Sequence, residues 1–264
     1  MPSTNLRTRA ADTRGITRVI LLLCTLCSST SWSKEPDWTD YTALLQQHVH
    51  AGAINGIRLS LVDYPAIRRD PRFATITRQI AHFPLQQLRS REERMAFYIN
   101  AYNILAIKMV TDHWPVESIK DAGSLFTTVW KKPAGTVGGQ AVTLNDIEHH
   151  ILRPMGDPRI HMAIVCASIS CPDLRPEAYT AAQLNHQLNE QARGFLANPG
   201  KGLRIEGGHI RLSHIFDWFA EDFQVYGGVK QFILKFHDHL PTNYEIKTDL
   251  NYNWSLNYKE KSAS

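Results

Sequence analysis

Apolar residues recur at helical spacing along most of this chain. Trp38, Tyr41, Leu44, Leu45 and Val49 predict an amphipathic helix from Asp37 to about Val49, closed by Gly52 and Gly56. Leu59-Ser-Leu-Val62 reads as a short extended piece. Tyr64-Pro65 and Asp70-Pro71 punctuate the path to a second helix near residues 73–83. Ser90-Arg-Glu-Glu93 has the spacing of a capping box, so a helix starts there and continues to Val110, before Trp114-Pro115. Residues 95–107 are apolar almost all round, which predicts a helix central to the core. Asn100 and Asn103 interrupt that surface on one face, and a buried amide needs partners. Either they bond neighbouring backbone or they line and position a site.

Residues 121–142 are rich in glycine and proline and leave room for a short hairpin. Thr143 then caps a helix over Ile147-Glu-His-His-Ile-Leu-Arg153, ended by Pro154-Met-Gly156. Asp157-Pro158 predicts a turn into a strand at 160–165. A helix over residues 180–196 follows, then a hairpin with a Gly207-Gly208 turn between Leu203-Arg-Ile205 and Ile210-Arg-Leu212. Ser213 is read as the cap of a helix carrying Ile215, Phe216, Trp218, Phe219 and Phe223. A last helix spans about 229–240, and the polar tail from Pro241, with Tyr252 and Trp254, can pack as an extended segment. The expected fold is a mixed α/β single domain over 34–264. It has a buried central helix near 91–112, flanking helices, and a small sheet that includes 160–165 and the late hairpin.

The first 33 residues call for a separate account. Arg7, Arg9, Arg14 and Arg18 precede the apolar run Val19-Ile-Leu-Leu-Leu-Cys-Thr-Leu-Cys27, and Ser31-Trp-Ser33 offers small residues ahead of Lys34. That is the layout of a secretory signal peptide, with a run too short to span a bilayer. An uncleaved anchor or a loose tail is the alternative. Leu23 and Leu26, before Cys24 and Cys27, do not suit a lipoprotein signal. The expected protein is exported, periplasmic or secreted, without stable membrane insertion after cleavage. Cleavage changes the charge: 29 Lys+Arg against 25 Asp+Glu lose four Arg and Asp12, leaving 25 against 24. A net charge of +1 is no electrostatic footprint for nucleic acid. It also leaves only Cys166 and Cys171, which in an exported protein form a disulfide by default.

The chemistry-bearing stretch is Arg159-Ile-His-Met-Ala-Ile-Val-Cys-Ala-Ser-Ile-Ser-Cys-Pro172. A free Cys166 is the best candidate nucleophile, with His161 as acid/base and Glu148 orienting it. Ser168 or loop amides are candidates to hold an oxyanion. On a regular strand, His161 and Cys166 would face opposite sides, so the pairing needs the strand to end or bulge by Val165. His214 is the next base to consider. Against this stand a Cys166–Cys171 bridge, a His161 satisfied within the core, and a Glu148 paired with Arg153 or Arg159. Glu148-His149-His150 beside His161 and the cysteines could hold a metal, but Cys-x4-Cys is not a recognised zinc knuckle, and no metal or cofactor is predicted.

Taken together, Phe97-Tyr-Ile-Asn-Ala-Tyr-Asn103, Asp146-Ile-Glu148, Asp157-Pro-Arg-Ile-His161, Cys166-Ala-Ser-Ile-Ser-Cys-Pro172 and Trp218-Phe-Ala-Glu-Asp-Phe223 carry a resemblance. Over roughly 90–223 the chain resembles the bacterial and plant family called domain of unknown function 547. The resemblance implies a shared fold and supplies no reaction. Three functions follow from the residues. One is a cysteine-dependent hydrolase or acyltransferase acting on a small-molecule or peptide substrate, with Asn100, Asn103 and Ser168 at the substrate. Another is a non-catalytic exported binding or scaffold domain stapled by Cys166–Cys171, with Asn100 and Asn103 lining a groove. The third is thiol exchange, for which the usual Cys-x-x-Cys spacing is missing.

Overall fold

The computed structural model describes Ser3 and residues 35–124, 127–241 and 243–260; the predicted leader and its cut lie outside them. Helix α1 (Thr39–His48) buries Tyr41, Leu44 and Leu45 and runs directly into β1 (Val49–Ile54). β1 pairs antiparallel with β2 (Ile57–Val62) through Asn55-Gly56, both at positive φ (49° and 79°), as a two-residue hairpin turn requires. Two Asp-Xaa-Pro or Asp-Pro starts follow. Asp63 caps α2 (Tyr64–Arg69) and Asp70 caps α3 (Pro71–His82), each accepting a hydrogen bond from a first-turn amide.

Helix α4 (Arg91–Asp112) is the central element, and the capping box closes as predicted. Glu93 N–H donates to Ser90 Oγ and Ser90 N–H to Glu93 Oε2, both at 3.0 Å. Every residue from Met95 to Ile107 is buried. α4 organises the larger core cluster, to which α1, α2, α3 and the middle of the chain contribute. The hairpin before Thr143 is β3 (Pro133–Val137) with β4 (Gln140–Thr143). Thr143 and Asp146 then bond reciprocally, Thr143 N–H to Asp146 Oδ2 at 2.9 Å and Asp146 N–H to Thr143 Oγ1 at 3.0 Å. The predicted helix is there, but Asp146–Leu152 is wound as a π-helix. Such wide turns are uncommon and occur often at functional sites.

The strand expected at 160–165 is not formed. Pro158–Met162 is a 3₁₀ turn, and Asp157 accepts a hydrogen bond from Arg159 N–H at 3.1 Å as its cap. Asp-Pro is a helix-start signal, and it prevails over the apolar pattern. Beyond the turn, the backbone has a side chain where a sheet partner would be. Asn103 Nδ2 donates to Ala163 O at 3.0 Å, and Val165 N–H donates to Asn103 Oδ1 at 2.8 Å. The alternation argument that set His161 and Cys166 on opposite faces therefore does not apply.

Helix α5 (Leu184–Leu196) begins after a turn at 181–183. β5 (Leu203–Glu206) and β6 (His209–Ser213) form the late hairpin, turning at Gly207 and Gly208 with φ of 58° and 76°. The helix predicted from Ser213 divides into α6 (Ile215–Trp218) and a 3₁₀ segment Ala220–Tyr226, broken at Phe219. α7 (Val229–Phe236) follows, and β7 (Glu245–Leu250) joins β6 in parallel. The strands make three small separate sheets, not one. Phe195, Phe216, Phe223, Phe232 and Phe236 build a second core cluster beneath the last sheet. The tail then runs extended along the cysteine loop: Ile169 N–H donates to Ser255 O, Ser170 N–H to Asn253 O, and Asn257 N–H to Ala167 O. Among the described residues no helix is long and apolar enough to cross a membrane.

Candidate functional site

The extended tail, which straps the cysteine loop, meets the π-helix and α6 around a cavity of about 420 Å³. That volume is in the range of small-molecule sites. Its walls are largely aromatic: Tyr102, Trp130, Trp218, Phe219, Tyr252 and Trp254. Glu148, His149, His161 and both cysteines supply the polar and sulphur-bearing parts of the lining. Tyr252 and Trp254 come from the tail, and their rings pack against Trp218 at 4.9 and 5.9 Å. Trp218 is itself 46% exposed, so this aromatic rim meets solvent.

Cys166 and Cys171 are joined, with an S–S distance of 2.02 Å and Cα atoms 6.0 Å apart. Ala167 between them has a φ of 59°, a left-handed conformation that non-glycine residues seldom adopt. The strap holds this turn: Asn257 N–H donates to Ala167 O at 3.0 Å, and Ser168 forms an antiparallel bridge with Leu256. The Tyr252 hydroxyl lies 3.4 Å from each sulphur, and Ser168 Oγ lies 3.3 Å from Cys166 Sγ. Cys166 is thus bridged and is not a free nucleophile in this state.

His161 is oriented by Asp222, not by Glu148. Its Nε2 lies 2.7 Å from Asp222 Oδ2, and its ring stacks on Phe219 at 4.0 Å. Arg153 clamps the same carboxylate with two bonds of 2.7 and 2.8 Å, while His149 Nδ1 lies 2.8 Å from Arg153. Burial raises the Asp222 pKa, but the bonds from His161 and Arg153 outweigh it and hold the carboxyl well below its usual range. Burial lowers the pKa of His161 despite Asp222, which favours the neutral imidazole. A carboxylate can only accept, so Nε2 carries the proton, and in the neutral ring Nδ1 holds the lone pair. That Nδ1 is buried with no hydrogen-bond partner among the described residues.

Glu148 sits on the π-helix and is buried. Tyr102 O–H donates to its Oε2 at 3.2 Å, and the Trp130 side chain donates to Tyr102 in turn. Burial pushes the Glu148 carboxyl up to about 7, with the Tyr102 bond and Arg153 opposing the rise. Glu148, His161 and Cys166, the three residues predicted to be catalytic, therefore line one cavity.

The three predicted substrate-contacting residues have other surroundings. Asn100 is committed to Tyr179, donating to its carbonyl at 2.8 Å and accepting from its amide at 2.9 Å. Asn103 is committed to Ala163 and Val165, and Ser168 is buried between Cys166 and Tyr252. None of the three is in the cavity lining. His214 stacks on Trp218 at 5.8 Å and is not in the cavity lining. Among the described residues no three His, Cys, Asp or Glu side chains are placed to hold a metal ion.

Sequence reasoning did not find Asp222, Arg153 or the tail aromatics as parts of one site. The Asp222 signal was present in Trp218-Phe-Ala-Glu-Asp-Phe223, but nothing local ties it to a histidine 61 residues earlier. Residues 85–196 match the family model described as protein of unknown function, DUF547, a segment that holds Glu148, His161 and both cysteines. Asp222, Trp218, Tyr252 and Trp254 lie beyond the matched segment. No curated protein and no solved structure matches the chain.

Proposed function

We propose that this chain, which resembles the DUF547 family over its central segment, is an exported domain that binds a small, ring-bearing, largely apolar molecule. The aromatic cavity is the observation that carries this reading, since a half-buried rim of stacked indoles is suited to a planar ligand face. The Cys166–Cys171 bridge acts in it as a staple of the cavity wall. The basic and apolar leader supports export, as does a disulfide, which persists in oxidising compartments. Quenching of tryptophan fluorescence by a panel of aromatic and alicyclic compounds tests it. Saturable quenching that Trp218→Ala and Trp254→Ala weaken is expected; quenching that is linear in ligand and indifferent to both substitutions contradicts it.

A second reading, the cysteine-dependent hydrolase or acyltransferase, rests on Cys166 and His161 lining the same cavity. It requires reduction of the bridge first. The freed Cys166 thiolate would then attack an amide, ester or thioester carbonyl with His161 as acid/base, and Asp222 would take the orienting role expected of Glu148. Ester turnover that appears only with a dithiol reductant and vanishes in Cys166→Ser would favour this reading over the first.

A further inference from the structure

We propose that the ligand of the aromatic cavity is a cation, a ring-bearing quaternary ammonium whose charge is met by the Glu148 carboxylate and by the surrounding aromatic rings. The proposal rests on the small-ligand reading above and assigns that ligand its charge. Its first support is the character of the walls. Tyr102, Trp130, Trp218, Phe219, Tyr252 and Trp254 line the cavity, and among the described residues its lining includes no lysine or arginine. The face of an aromatic ring carries negative potential and attracts a cation, most strongly at an indole. One indole of the set already does so: Lys120 Nζ lies 3.6 Å from the centroid of the Trp254 ring, outside the cavity lining.

The second support is the geometry of Glu148, the one carboxylate in that lining. Its Oε2 accepts from Tyr102, and its Oε1 accepts from no described residue. Oε1 is not an occluded, unpartnered atom of the kind that His161 Nδ1 is; it keeps accessible surface, on a residue that lines the cavity. Arg153 favours the charged form of Glu148 but is committed to Asp222 through two hydrogen bonds. The charges of that pair cancel, and the charge of Glu148 is left over. An ionised carboxylate buried without a counter-charge is costly, and a cationic ligand supplies the opposing charge. An anion would meet repulsion at the same place.

Binding of a cation is then coupled to a proton. Glu148 faces Tyr102 on α4, His149 and Arg153 on its own helical stretch, His161 and Asp222 from other elements, and Tyr252 from the tail. Asp222 and Arg153 keep their charges across the neutral range, and burial holds both tyrosines protonated. Both histidines are pushed below 6.5, chiefly by burial. The Glu148 carboxyl, raised to about 7, is therefore the group of this set that changes charge there. A bound cation favours its ionised form and expels its proton, so affinity for a cation rises with pH through about 7 and levels above it.

The experiment is titration calorimetry of the oxidised protein with 4-(trimethylammonio)benzyl alcohol and with 4-tert-butylbenzyl alcohol. The two share a shape and differ by a quaternary nitrogen in place of a quaternary carbon. The parent should bind the cation about tenfold more tightly than the neutral compound at about pH 8. Affinity for the cation should rise about fourfold from about pH 6.5 to about pH 8, with affinity for the neutral compound level. Glu148→Gln, verified as folded by circular dichroism, should cancel both the preference and the rise. Equal affinity of the parent for the two compounds overturns the proposal and leaves the binding reading intact. A cation affinity that is flat with pH in the parent, or a preference that Glu148→Gln keeps in full, does the same. Binding of neither compound overturns both.

Discussion

Replacing Cys166 and Cys171 together by alanine removes the covalent closure of a loop with a sequence separation of 5. The chain-entropy relation for a loop of about six residues gives a stabilisation of about 2 kcal/mol. The folded side of the balance changes little, because the tail still holds this loop through Ile169, Ser170 and Ala167. For a chain of this size such a loss lowers Tm by about 4–8 °C. The assay is urea denaturation of the oxidised protein, the protein with a phosphine reductant, and the double variant. Reductant should move the parent to the stability of the variant and leave the variant unchanged. A double variant as stable as the oxidised parent would refute the staple, and so would a variant that loses ligand quenching at unchanged stability.

The other predictions concern the groups around the cavity. Asn103→Ala strips partners from the buried Ala163 carbonyl and Val165 amide, and should cost about 3 kcal/mol in the same denaturation assay; a cost below about 1 kcal/mol contradicts the role given to that amide. Glu148 faces Tyr102 on α4, Arg153 and His149 on its own helical stretch, and His161 and Asp222 from other elements, and its carboxyl is raised from 4.5 to about 7. A raised acid binds its proton more tightly folded than unfolded, so its contribution is full below about 4.5 and is lost as pH climbs to about 7, by about 3 kcal/mol. The stability of Glu148→Gln relative to the parent should therefore increase over that window, and a flat difference contradicts the raised value. Asp222→Asn leaves Arg153 without its anion and His161 without its acceptor, so the variant should lose stability at pH 7 and lose less at pH 3, where the same carboxyl in the unfolded parent is already largely protonated while the folded one is held ionised.

Much of the frame was legible because its signals are local. The Ser90–Glu93 box fixes the start of α4, and the unbroken apolar run from Met95 to Ile107 says that it is buried. The Gly207-Gly208 hairpin and the Thr143 cap are equally local. The 160–165 segment misled because a short apolar run fits a strand or any buried turn, and its backbone partner is the side chain of Asn103. Asn103 itself was noticed, and its partners come from 60 and 62 residues away, where sequence patterns carry no information. The site follows the same division. Glu148, His161 and Cys166 were found by residue type, whereas Asp222 and the tail aromatics reach the cavity only through tertiary packing.

The most direct test of the account is the intact mass of the protein recovered from cells expressing the full sequence, alkylated without reductant. The account predicts a chain beginning at Lys34, no alkylation, and a mass lighter by two hydrogens than the sequence of the reduced form. Two alkylated thiols on that chain would contradict the stapled cavity and leave Cys166 as a free nucleophile beside His161.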